Sequence, residues 1–128
     1  MAIPLTNSAR LQERLQTMAS FGALANGGCN RQALTAEDAA GRDCFVAWCQ
    51  ALGGQPRRDS MGNLFVRFTG REPELLPLLL GSHLDTQPTG GHYDGVYGVP
   101  AALEVMHSLQ EAGHQLRRSV ELAVWTNE

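Results

Sequence analysis

The stretch Leu78–Asp94, LLLGSHLDTQPTGGHYD, constrains this chain more than any other. A short apolar run ends at Gly81-Ser82 and passes into a loop of glycine, threonine and proline. A compact apolar run bounded by turn residues marks a buried strand, so Leu78–Ser82 is predicted as the central strand of a sheet. In an open α/β sheet, ligands gather just past the carboxyl ends of strands. His83, Asp85 and Asp94 all follow such an end. Residues two apart share one side of an extended chain, which aims His83 and Asp85 at one site.

The remaining pattern alternates helices and strands. Residues 5–20 read as a helix carrying Ala9, Leu11, Leu15 and Met18, with Thr6, Asn7 or Ser8 as N-cap. A glycine-rich loop follows over 21–34. Thr35 then caps a second helix, with Asp38 at the capping-box position. Its apolar stripe is Phe45, Trp48, Cys49 and Leu52, and Gly53-Gly54 ends it. Gln55–Asp59 and Leu64–Phe68 flank Met61-Gly62-Asn63 as a hairpin. A further helix spans about Gly95 to Ala112. Pro100 is tolerated only in a first turn, so its start falls close to Tyr97. Val120, Leu122 and Val124 alternate in a last strand, which ends at Thr126-Asn127-Glu128. The fold class is α/β, in one domain over residues 1–128.

The 128 residues are 43% apolar and 18% charged, with a net charge of −3. That balance gives no reason to expect nucleic acid or an anionic membrane as partner. No apolar run approaches the length of a membrane span. The start MAIPLTNSARLQER lacks a basic segment followed by an apolar block, so the cytoplasm is the expected compartment. Cys29, Cys44 and Cys49 are odd in number and lack C-x-x-C spacing, which points to free thiols.

His83-x-Asp85 has two readings. One is a strand-end histidine hydrogen-bonded locally. The other is a metal ligand whose second nitrogen is held by a carboxylate. Asp94 lies between a Gly-Gly turn and Gly95. An aspartate there either caps a helix or bridges two divalent cations about 3.5–4 Å apart that share one water. Glu128 alone reads as a polar strand end. His92 stands near Asp94 and is expected to be solvated. His107 and His114 have no ligand spacing to anything.

Taken together, GSHLDTQPTGG-x-YDG, GV-x-x-x-LEV and WTNE closely resemble the M20 metallopeptidase clan. The match is best to its amidase, hydantoinase and carbamoylase branch, which includes N-carbamoyl-L-amino-acid hydrolases, β-ureidopropionases and allantoate amidohydrolases. The pieces GG-x-x-R-x-ALT-x-ED at Gly27–Asp38 and D-x-x-GN at Asp59–Asn63 agree. The resemblance implies a zinc-hydrolase-type three-layer α/β/α sandwich, present in part. It implies His83 as ligand of one metal, Asp94 as bridge between two, Asp85 as the group orienting His83, and Glu128 as general base. The implied cofactors are two divalent ions, zinc first, with manganese, cobalt and nickel also compatible. The implied substrate is a small N-carbamoyl or ureido compound. In the resembled family a second glutamate, distal histidines and a dimerisation domain follow. The chain is therefore expected to be the N-terminal fragment of a homodimeric amidohydrolase, inactive by itself. The alternatives are a non-catalytic remnant and an aminoacylase or peptidase of the same clan.

Overall fold

The computed structural model describes residues 3–128. The elements run α1 (Ser8–Ser20), α2 (Ala36–Ala51), β1 (Gln55–Arg58), β2 (Leu64–Phe68), β3 (Leu78–His83), α3 (Gly98–Glu111) and β4 (Val120–Trp125). Asn7 starts α1 by accepting the Arg10 N–H, which delays the helix from residue 5 to residue 8. Thr35 caps α2 as expected, its hydroxyl accepting the Asp38 N–H. The Asp38 carboxylate reaches back one residue further than a capping box requires and accepts from Leu34 N–H at 3.2 Å. α3 begins at Gly98 with Pro100 in its first turn, and Gly113 at φ +71° ends it.

The four strands lie in the order β1-β2-β4-β3. The hairpin β1–β2 is antiparallel, β2–β4 is antiparallel and β3–β4 is parallel. Within the described residues this differs from the expectation for Leu78–Ser82: β3 lies at the edge of the four strands, and Leu78 and Leu79 are 56% and 47% exposed there. An unbroken leucine run reads as buried on both faces, but burial depends on neighbours, and here β2 and β4 hold the centre. Five consecutive residues of β4, Val120–Val124, are buried.

Leu64, Val66 and Phe68 pair with Val124, Leu122 and Val120, so these six side chains share one face. Met18 of α1, Phe45 and Cys49 of α2, and Val99, Leu103 and Met106 of α3 complete the core on that face. Gly98 allows the last approach, since a Cβ there would stand 2.9 Å from the Ser82 Cβ. The opposite face carries polar and aromatic contacts. Arg57 lies 4.2 Å over the Phe65 ring, Phe65 meets Trp125 edge-on, and Arg57 and Arg67 bracket Glu121 at 3.0 and 3.2 Å. No described helix covers that face, so two of the three expected layers are present. Cys29, Cys44 and Cys49 are free. No described helix is long and apolar enough to cross a membrane.

Candidate active site

β3 and β4 run parallel, so both end at the same edge of the sheet, and His83 pairs with Trp125 there. The His83 Nδ1 lies 2.9 Å from the backbone carbonyl oxygen of Asp85. A carbonyl only accepts, so Nδ1 carries the hydrogen, and in the neutral ring Nε2 keeps its lone pair. The Asp85 Oδ1 lies 3.3 Å from the same Nδ1 but has no hydrogen-bond partner, because the single Nδ1 hydrogen goes to the carbonyl. Asp85 thus holds the ring chiefly through its backbone, not through the carboxylate as expected. Its Oδ2 accepts the Glu128 N–H at 3.2 Å. Glu128 Oε1 stands 3.9 Å from His83 Nε2. His83, Asp85 and Glu128 therefore meet.

Asp94 occupies an exposed turn ahead of α3. It is not the helix cap, a position Tyr97 takes without a side-chain bond. Gly95, at φ +67°, packs against the imidazole, and a Cβ there would collide with His83 Nε2. Asp94 is therefore one residue from the ring's free nitrogen. Among the described residues no group of three or more His, Cys, Asp and Glu side chains is arranged to hold a metal ion. The donor chemistry still suits one: an imidazole with the correct tautomer, a neighbouring carboxylate, and a glycine where any side chain would fill the space.

Two hydrogen-bonded supports hold the site from behind; sequence reasoning placed both in motifs, and the first in a hairpin turn, but gave neither a part in the site. The turn Asp59–Asn63 grips the end of β4: Asn63 Oδ1 accepts the Thr126 N–H at 2.9 Å, and the Thr126 hydroxyl donates to Met61 O. Asp59 orients Asn63 by accepting from its Nδ2 at 3.0 Å. Arg42 donates to Gly62 O at 2.5 Å and to Trp125 O at 3.5 Å. Its signal was an arginine on the stripe of Phe45 and Cys49, where a residue at helical spacing turns inward. The second support is Arg31, 1% exposed, which donates to Leu84 O, Met18 O and Phe21 O. Burial pushes the pKa of Arg31 and Arg42 down and that of Asp38 up.

The other histidines divide. His92 is half-buried and its Nε2 is buried without a hydrogen-bond partner, which corrects its expected solvation. The turn of Gly91–Asp94 folds it against the molecule. His107 receives an Arg14 hydrogen bond at 2.9 Å. His114 lines a cleft of about 510 Å³ at the opposite end of the sheet, with Arg71 its other titratable side chain. A smaller cleft of about 290 Å³ borders Asp85, between Leu34, Gln87, Thr126 and Asn127.

The family model described as Peptidase family M28 matches residues 63–128, more than half of the chain, including β3, α3 and β4. The chain belongs to that family. Relatives sharpen the position within it. An N-carbamoyl-L-amino-acid amidohydrolase of Rhizobium meliloti is 43% identical over 122 residues, 95% of this chain and 29% of that protein. A ureidoglycolate hydrolase of Arabidopsis thaliana is 35% identical over 92% of this chain and 25% of its own length. The crystal structure of a hydantoinase/carbamoylase family amidase from Burkholderia ambifaria superposes with a TM-score of 0.97 at 46% identity, covering 99% of this chain and 31% of that one. These neighbours agree with the hydantoinase/carbamoylase branch read from the motifs, while the matching family model bears the M28 description. The chain spans less than a third of the length of these relatives.

Proposed function

We propose that this family member is the N-terminal part of a dinuclear-metal catalytic domain in an amidohydrolase that cleaves a non-peptide C–N bond of an N-carbamoyl amino acid or related ureido compound. The observation carrying the reading is the His83 tautomer: Nδ1 bonded to the Asp85 carbonyl, Nε2 free beside Gly95 and facing Glu128. The names of the relatives support the substrate class.

His83 Nε2 and the Asp94 carboxylate would hold the metal, with zinc the first candidate and manganese, cobalt or nickel compatible with the same donors. When bound, divalent ions supply an activated water and polarise a carbonyl. Glu128 takes a proton from the attacking water and returns it to the leaving nitrogen. Asp85 keeps the His83 ring oriented and holds the Glu128 backbone at the same edge. Glu128 needs no reach across the sheet, because parallel β3 and β4 deliver both residues to one end. On this reading the full-length polypeptide would work as a cytoplasmic homodimer, as the family resemblance implies, and these 128 residues, which span 29% of the Rhizobium meliloti relative, would be inactive alone. A second reading, hydrolysis of a peptide or acylated amino acid, draws on the description of the matching family model.

The test is metal content and ammonia release in the longest polypeptide that contains these residues. It is stripped with chelator, reloaded with zinc or manganese, and given N-carbamoyl-L-amino acids, ureidoglycolate or dipeptides. The expected result is ammonia release from a ureido substrate that needs added metal, with tight metal binding abolished in His83→Ala and in Asp94→Ala. Two metals per subunit retained by either variant would overturn the ligand assignment. Cleavage of dipeptides alone selects the second reading, and no turnover with any of them marks a non-catalytic remnant.

A further inference from the structure

We infer that Arg31 is a positioning residue: it sets the tautomer of His83 through a hydrogen-bonded relay that crosses the Asp85–Thr86 peptide unit. The motif that contains Arg31, Gly27–Asp38, lies far from His83 in sequence. In the fold it runs beside the loop that leaves β3. Cys29 and Gly90 exchange both backbone hydrogen bonds at 2.9 Å. Toward the site, Arg31 and Thr86 are joined twice: Thr86 N–H donates to Arg31 O at 2.7 Å, and Arg31 N–H donates to Thr86 Oγ1 at 2.8 Å. The Arg31 Nε then donates to Leu84 O at 2.8 Å.

Asp85 is thereby held on both sides by one residue. The peptide unit before it is fixed through the Leu84 carbonyl, and the one after it through the Thr86 N–H. That second unit is the one whose carbonyl accepts from His83 Nδ1. The chain of bonds is continuous: Arg31 carbonyl, Thr86 N–H, Asp85 carbonyl, His83 Nδ1–H. Each bond polarises the next in a low-dielectric interior. Arg31 itself is anchored by Met18 O at 2.8 Å, Phe21 O at 2.6 Å and the Cys29 thiol at 3.2 Å. Its partners are carbonyls and a thiol, which fix position without neutralising charge. That arrangement is poor for stability and good for geometry.

The use of this tautomer for metal binding rests on the function proposed above; the relay itself does not. The test is the nitrogen NMR spectrum of the histidine side chains in the metal-free protein at a pH where the rings are neutral, His83 being identified by its loss in His83→Asn. The wild-type His83 is expected in the Nδ1–H form. Arg31→Met removes the side-chain bond that fixes the Leu84 carbonyl, and Thr86→Val removes the acceptor of the Arg31 N–H. Each loosens a peptide unit beside Asp85 while leaving the backbone bonds formally intact. Both should move His83 toward Nε2–H by up to about tenfold, the worth of one hydrogen bond of ordinary strength, and Arg31→Lys should restore part of the shift. Arg14→Met is the matched control, another buried arginine, and should move His107 but not His83. Should Arg31→Met not fold, Thr86→Val and Arg31→Lys carry the same comparison. A folded variant of either residue with an unchanged His83 ratio refutes the relay. Zinc titration separates the two ideas: a tautomer that shifts in the variants, alongside a wild-type protein that takes up no zinc, keeps the relay and sinks the metal site.

Discussion

His83 and His107 are both partly buried imidazoles serviced by a buried arginine, and they end in opposite states. Nδ1 of His83 faces a carbonyl and must donate, which leaves Nε2 open. Nδ1 of His107 faces the Arg14 guanidinium at 2.9 Å and must accept, so its Nε2 carries the hydrogen, toward Glu111 at 3.4 Å. The lone pair of His107 is consumed inside the molecule, whereas that of His83 is left at an edge. Burial, followed by the charges of Arg10 and Arg14, holds the His107 pKa below the usual histidine range.

The surroundings differ in the same sense. Around His107 the charges are paired. Glu104, 1% exposed, accepts two bonds from Arg10 at 2.7 Å, one from Asn7 N–H and one from Ser108, and lies 3.4 Å from Arg14. Burial pushes the Glu104 carboxyl up, but these donors outweigh it and bring it down to about 2. Around His83, Asp38 moves the other way: burial raises it and one oxygen has no hydrogen-bond partner. Leu34, at φ +66°, is the described non-glycine residue in the left-handed region, and it belongs to the Arg31 loop. Strain and incomplete pairing gather at the candidate site, and satisfied charge gathers between α1 and α3, as expected where function and stability make different demands.

Three perturbations break or sharpen that contrast. Glu104→Ala removes the hub and leaves Arg10 and Arg14 uncompensated at the α1–α3 contact. It should cost about 3–5 kcal/mol, read from urea denaturation. Acid probes the same hub. Because the folded-state pKa of Glu104 is depressed, its contribution is complete above the ordinary value near 4.5 and is lost as pH falls toward about 2. That loss amounts to about 3 kcal/mol, and the fall in urea midpoint between these pH values should flatten in Glu104→Gln. A slope unchanged by that substitution would assign the acid sensitivity to other carboxylates. The smallest effect belongs to the site side. Leu34→Gly relieves the left-handed conformation and, since Leu34 is 84% exposed, should raise stability by about 0.5–1 kcal/mol. A lower melting temperature would show that the Leu34 side chain holds the loop.

Most of the elements were legible in the sequence because they rest on local rules. Thr35 caps α2, Pro100 bounds the start of α3, and Met61-Gly62-Asn63 turns a hairpin. The position of β3 was not legible, because Leu78–Leu80 carries no mark of which strands lie beside it. The site was legible in part. His83 and Asp85 were placed together by spacing, and Glu128 joined them only through the parallel pairing of β3 with β4. The working contact of Asp85 is its backbone carbonyl, an atom every residue type has, so no side-chain pattern could announce it. Arg31, Arg42 and Asn63 were visible as residues inside motifs or on an apolar stripe, but their partners are backbone groups distant in sequence.

The sequence by itself determined the helices, the hairpin, the α/β class and the identity of the groups capable of chemistry, because capping, turn geometry and periodicity act over a few residues. The tertiary structure alone decided which strand is central, which imidazole nitrogen is free and which arginine holds the loop beside it. Those outcomes depend on which hydrogen-bond acceptors and which strands are brought alongside from far along the chain, and no local pattern encodes that.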